Sequence, residues 1–174
     1  MAEHTIKAFD EEIDRLRGLI AEMGGRAEAA IENAMLALQR QDQRLAAEVV
    51  ADDKRIDALE AEVEKLVVQI IALRAPMAND LRDVIAALKI VSVVERIGDY
   101  AKNIAKRVPL IAANQHKLEP VSLLPSMGQV AAEMVHDVLN AFAARDAELA
   151  LAVVERDQVV DDFYDSVFRT LVTY

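Results

Sequence analysis

The sequence of 174 residues predicts an all-α protein built as a bundle of long helices. Three observations carry that expectation. Apolar residues recur at steps of three and four, the period of an amphipathic helix, through most of the chain. Only five glycines and four prolines are present, which leaves few places for the tight turns of a sheet. The composition is 53% apolar but only 4% aromatic, a balance that suits helices packed through aliphatic ridges around a sizeable core.

Thr5 to Arg40 reads as the first helix, with Phe9, Ile13, Leu16, Ile20, Met23, Ala27, Ala30 or Ile31, Ala34 and Leu38 on its apolar stripe. Gly24 and Gly25 interrupt it, and because glycine weakens a helix interior they predict a bend or the close approach of another helix. After a polar break at Gln41 to Arg44, in which Asp42 can cap the next helix, a second helix runs from Leu45 to Leu73. Its stripe is Leu45, Val49, Ile56, Leu59, Val63, Leu66, Val67 and Ile70, with Asp53 and Asp57 at the edge. Ala75-Pro76 ends it, since proline lacks a donor and disfavours the helical conformation in the residue before it.

The third helix, Asn79 to about Val108-Pro109, is the stretch around which the chain is organised. Helical spacing places Ile90, Val93, Ile97, Tyr100 and Ile104 on one stripe, and Glu95 and Asp99 nearly opposite with Leu88, Lys102 and Lys106. The acid pair is therefore expected on an outer face. Leu110 to Pro125 reads as a linker, with Asn114, Gln115, Pro120 and Ser122. A fourth helix over about Ser126 to Ala144 and a fifth over about Asp146 to Thr173 complete the chain. Met23, Met35 and Met127 fall at helical spacing and are expected as core filler.

A formal charge of −10 argues against nucleic acid and an anionic membrane as direct partners, and is compatible with the binding of cations. With no cysteine, disulfides and thiolate metal sites are out of reach. The opening MAEHTIKAFDEE has neither a basic n-region nor an apolar h-region, and no run is apolar enough to span a bilayer, so a cytoplasmic protein is expected.

Nine pairs of acids lie four residues apart among the 30 acids, so one such pair is a weak signal. Glu95 and Asp99 stand out because no other acid lies between Asp83 and Glu119. They are also echoed. A shift of 104 residues aligns Met35–Ile70 with Leu139–Tyr174 at ten identities in 36 positions, among them Asp42/Asp146, Leu45/Leu149, Asp53/Asp157 and Asp57/Asp161. Apolar positions repeat in any two helices, but acids need not. The repeat implies a three-helix unit over residues 1–110 and the first two helices of a second, incomplete unit over 120–174. The sequence thus reads as truncated at its C-terminal end, and the uncovered stripe of Val153, Val160, Phe163, Val167 and Leu171 as a reason to form homo-oligomers.

APMANDLR (Ala75 to Arg82), ALKIVSVVERIGDYAKNIAKR (Ala87 to Arg107) and DDKRIDALEAEVE (Asp52 to Glu64) closely resemble the PhoU phosphate-uptake regulators, over about residues 6 to 174. The resemblance implies two similar three-helix bundles with E/D-x-x-x-D motifs that, in some members, bind iron, manganese or magnesium on the bundle surface. It implies a non-enzymatic negative regulator linking the ATPase component of a phosphate ABC transporter to a sensor histidine kinase. Carried onto this sequence, the motifs fall on Asp53, Asp57, Glu95 and Asp99 in the first unit and on Asp157 and Asp161 in the second, whose final motif is absent.

The chemistry is consistent. Two such acid pairs on adjacent antiparallel helices can bring four carboxylates together, and an oxygen-only set favours hard cations such as Mg²⁺, Mn²⁺, Ca²⁺ or iron over Zn²⁺ or Cu²⁺. The bland alternative is a hydrated surface paired by Lys54, Arg55, Arg96 and Lys102. Two other readings stay open: a di-metal carboxylate oxidase or ferroxidase, and a plain helical scaffold. Against the oxidase, none of His4, His116 and His136 stands in the E-x-x-H arrangement of di-iron bundles.

Overall fold

A computed structural model of the chain describes residues 2–113 and 123–172, with side chains from residue 8 onward. Its five helices are α1 (Ala2–Arg40), α2 (Gln43–Arg74), α3 (Ala78–Ala113), α4 (Leu124–Ala144) and α5 (Ala147–Val172), and the described residues contain no strand. Helices α1, α2 and α3 pack mutually, α4 lies against α1, and α5 packs on α4.

The α1 and α2 stripes are buried as their spacing predicts. Met23, Leu59, Val63 and Ile70 lie at the centre of one core cluster, and Ala34, Ala37, Ala46 and Val49 in a second further along the bundle. Phe9 and Ile13 pack at the edge of the first. Helix α1 is continuous through Gly24 and Gly25, and the close approach they predict is real at Gly24. A Cβ there would stand 2.1 Å from Leu139 Cδ1 of α4, whereas Gly25 meets nothing. Gly128 of α4 makes the reciprocal contact, its would-be Cβ lying 2.3 Å from Met35 Cγ of α1. The 104-residue shift carries Gly24 onto Gly128 and Met35 onto Leu139, so the two sockets and the two knobs that fill them are repeat equivalents.

The helix ends repeat too. Asp42 Oδ1 accepts from Leu45 N–H at 3.0 Å and Asp146 Oδ1 from Leu149 N–H at 3.0 Å. Just before each cap, Gln41 (φ 54°) and Arg145 (φ 56°) turn the chain in the left-handed region. The Asp42 N–H then reaches Ala37 O at 2.9 Å and the Asp146 N–H reaches Ala141 O at 2.8 Å. These bonds satisfy donors and carbonyls that a helix end leaves unpaired. Ala75 (φ 47°) closes α2 in the same way ahead of Pro76, its N–H bonding Ile71 O at 3.2 Å.

Two expectations for α3 need correction. First, it does not stop at Pro109 but runs through it to Ala113. Proline forfeits one intrahelical bond, yet Val108 is buried before it and Ile111 packs on the same core after it. Tertiary contact carries the helix across a break that local propensity alone would impose. Of the expected linker, 110–113 and 124–125 are therefore helical, and 114–122 lie outside the described residues.

Second, α3 is rotated from the expected stripe. Val84, Ala87, Val91, Val94, Gly98, Ala101, Ala105 and Val108 face the core, while Val93 is 55% and Tyr100 60% exposed, and Ile90, Ile97 and Ile104 lie at the margin. The buried face is the one with the smaller side chains, because α3 packs closely against both α1 and α2. Reading the largest apolar residues as the core misplaces it.

Candidate functional site

The rotation of α3 brings Glu95 and Asp99, expected on an outer face, to the seam with α2, where both are half-buried. One turn separates the two acids on each helix. Asp53 belongs to the buried stripe of α2 at 5% exposure, the one buried charged residue among those described, while Asp57 is exposed. Lys102 of α3, 20% exposed at its side chain, donates from Nζ to Asp53 Oδ2 at 2.5 Å and pairs with Asp99 on its own helix. Asp53 Oδ1 is buried with no hydrogen-bond partner.

Gly98 makes that geometry possible. A Cβ at this position would stand 2.9 Å from Ile56 Cδ1 and 3.7 Å from Asp53 Oδ1, so its absence lets the α3 backbone approach the carboxylate. The charges feel one another across the seam. Burial, then Asp99 and Asp57, pushes the Glu95 carboxyl above the usual range, with Lys102 partly opposing. Glu60 is raised likewise, first by burial and then by Glu95, Glu64 and Asp57. Clustered carboxylates resist sharing charge in a partly desolvated place.

Glu60, Gly98 and the depth of Lys102 were not identified by sequence reasoning. Glu60 carries a usable signal, since it lies three residues from Asp57 and four from Glu64. Lys102 carries none, because its partner Asp53 is 49 residues away in the chain.

The remaining expected ligands, Asp157 and Asp161, are both exposed on α5, a helix packed on α4 rather than on the α2/α3 seam. Asp53 and its repeat equivalent Asp157 thus differ in the property that matters, burial. Of the histidines, His136 is exposed with Nδ1 3.1 Å from Glu28 Oε2, while His116 and the side chain of His4 lie outside the described residues. Of the cations expected on the acid surface, Arg55 pairs instead with Glu22 and Arg96 reaches the Tyr100 hydroxyl. Elsewhere, a groove of about 450 Å³ runs between α1, α3 and the α4–α5 corner, lined by Ile20, Ala87 and Phe142 and bordered by the Arg145–Asp83 ion pair.

Among the described residues no three carboxylates or imidazoles are arranged to hold a metal ion as they stand. The donor chemistry of the seam still fits a hard cation, being wholly carboxylate and including a buried oxygen, Asp53 Oδ1, that nothing satisfies. The interior between α1, α2 and α3 is aliphatic, unlike the inward-facing carboxylates of a di-iron bundle.

The chain matches the PhoU domain over residues 20–108 and 124–174. It is 54% identical over 171 residues to a phosphate-specific transport system accessory protein PhoU homolog of Zymomonas mobilis, covering 98% of this chain and 72% of the relative. It is 42% identical over 178 residues to the homolog of the same description in Caulobacter vibrioides, covering all of this chain and 76% of that one. Among solved structures, the crystal structure of PhoU from Pseudomonas aeruginosa superposes with a TM-score of 0.91 at 36% identity, over 95% of this chain and 79% of that one. With kinship along nearly its whole length and the same all-helical architecture, the chain belongs to the PhoU family.

Proposed function

We propose that this protein is a regulatory accessory protein of phosphate uptake. It acts without catalysis as an adaptor between the ATPase component of a phosphate transporter and a sensor histidine kinase, from the cytoplasmic side of the membrane. The observation that supports this reading most is the 54% identity, over 98% of the chain, to a protein named for that transport system. No helix of the described residues is long and apolar enough to cross a membrane, which suits a part that works by docking on a transporter. The test is retention of the transporter ATPase on immobilised chain, and separately of the kinase. Retention of neither overturns the adaptor reading.

The second element of the proposal is a cation at the α2/α3 seam, held by Asp53, Asp57, Glu95 and Asp99. A divalent ion there, Mn²⁺, Mg²⁺ or iron, would neutralise the crowded carboxylates and tie α2 to α3. Asp157 and Asp161 would serve as the corresponding half-site on α5. The orphaned Asp53 Oδ1 and the raised Glu95 carboxyl support this reading. Calorimetric titration with Mn²⁺ should show weaker binding by Asp99→Asn than by the wild type; equal affinities would sink it. We also propose that the protein associates with itself through the exposed apolar face of α5.

A further inference from the structure

The seam carries two observations that an acidic cluster alone does not. One is a carboxylate oxygen, Asp53 Oδ1, on a side chain more than nine-tenths buried and without a partner. The other is a cation already in place: the Lys102 ammonium touches one acid of each i,i+4 pair, Asp53 of α2 and Asp99 of α3. We propose that Lys102 is the built-in occupant of this site, its ammonium standing between Asp53 and Asp99 where a divalent ion would bind, so that it sets how strongly the seam takes up metal.

This rests on the reading of the seam as a cation site and adds a residue that controls it. A metal ion draws on the oxygen lone pairs that Lys102 engages, and two cations cannot share them at contact distance without strong repulsion. Binding is therefore an exchange in which the ammonium leaves as the ion arrives. The geometry favours exchange over permanent closure. Lysine is a compact charge on a flexible stem, this one is still 20% exposed, and it leaves Asp53 Oδ1 unsatisfied, which a multivalent ion can correct. Arginine at 102 would bring a planar fork with more donors and close the site more firmly.

The exchange is tested with Mn²⁺ on the full chain in three forms: wild type, Lys102→Met and Lys102→Gln, each checked for its helical signal and its melting. Both variants should bind Mn²⁺ at least tenfold more tightly than the wild type. In the wild type, saturating Mn²⁺ should raise the rate at which acetic anhydride modifies Lys102, read by mass spectrometry, several-fold over its rate in the metal-free protein. If the wild type binds Mn²⁺ and both variants bind with the same or lower affinity, the exchange is wrong while the cation site stands. If Mn²⁺ instead slows Lys102 modification, the exchange is again wrong. If no form binds Mn²⁺, the cation site itself fails and the exchange with it. Using two variants guards against one that fails to fold, since Lys102→Gln keeps a hydrogen-bond donor for Asp53.

Discussion

The guanidinium of Arg74, at the end of α2, grips the Glu12 carboxylate of α1 through two hydrogen bonds of 2.9 Å. Those bonds hold the Glu12 carboxyl below the usual glutamate range. A carboxyl depressed in the folded state contributes stability that is present above its unfolded value and is lost as pH falls through the folded one. Glu12→Gln should therefore unfold at lower urea than the wild type at pH 7, and the gap should close as pH drops below the ordinary glutamate value. Equal midpoints at pH 7 would show that the pair contributes nothing. At this scale the sequence displayed the acids but not their surroundings. Asp53 and Asp57 look alike in an i,i+4 pair, yet one is buried and the other exposed, because only tertiary packing decides which edge of α2 the third helix covers. The Glu12–Arg74 bond spans 62 residues and leaves no local trace.

Helix ends were legible where a side chain or a proline marks them, Asp42 as a cap and Pro76 as a stop, while the cap at Asp146 is shown by the structure. The caps make a paired prediction. Replacing an N-cap aspartate by alanine costs about 1 kcal/mol, so Asp42→Ala should lower the global stability by that order, since α2 is packed on both α1 and α3. Asp146→Ala should show itself locally, as faster amide exchange in the first turn of α5, a helix packed on α4. If the two variants lower global stability by the same amount, the two corners are equally coupled to the core and this account of α5 is wrong. Misjudged elements fail for a shared reason. The end at Pro109 rests on local propensity and the face of α3 on helical spacing, and both are overruled by contacts with helices distant in sequence.

At the scale of the molecule, burial is uneven. Val153 is the one buried residue of α5, and the helix exposes Leu151, Val154, Tyr164, Phe168 and Leu171, with Tyr164 and Phe168 stacked at 6.3 Å between ring centroids. The exposed Asp157 and Asp161 part Leu151 and Val154 from the cluster of Tyr164, Phe168 and Leu171 near the end of the helix, and an exposed apolar cluster of this kind suits an interaction surface. We expect this 174-residue chain to sediment as a dimer or larger at micromolar concentration, and Phe168→Glu with Leu171→Glu to shift it to monomer. A compact wild-type monomer would refute self-association through α5. The Gly24–Leu139 and Gly128–Met35 contacts have a related consequence. A helix with a hollow at one position and a bulky aliphatic side chain 11 residues later is its own antiparallel partner, which is how the two faces of a twofold homodimer recognise each other. The halves of this chain therefore meet as two subunits would, and such a handshake does not distinguish kin from self. Helix α4 of one molecule offers α1 of another the same hollow and knob that it offers its own, and the tether within one chain is what favours closure on itself at low concentration.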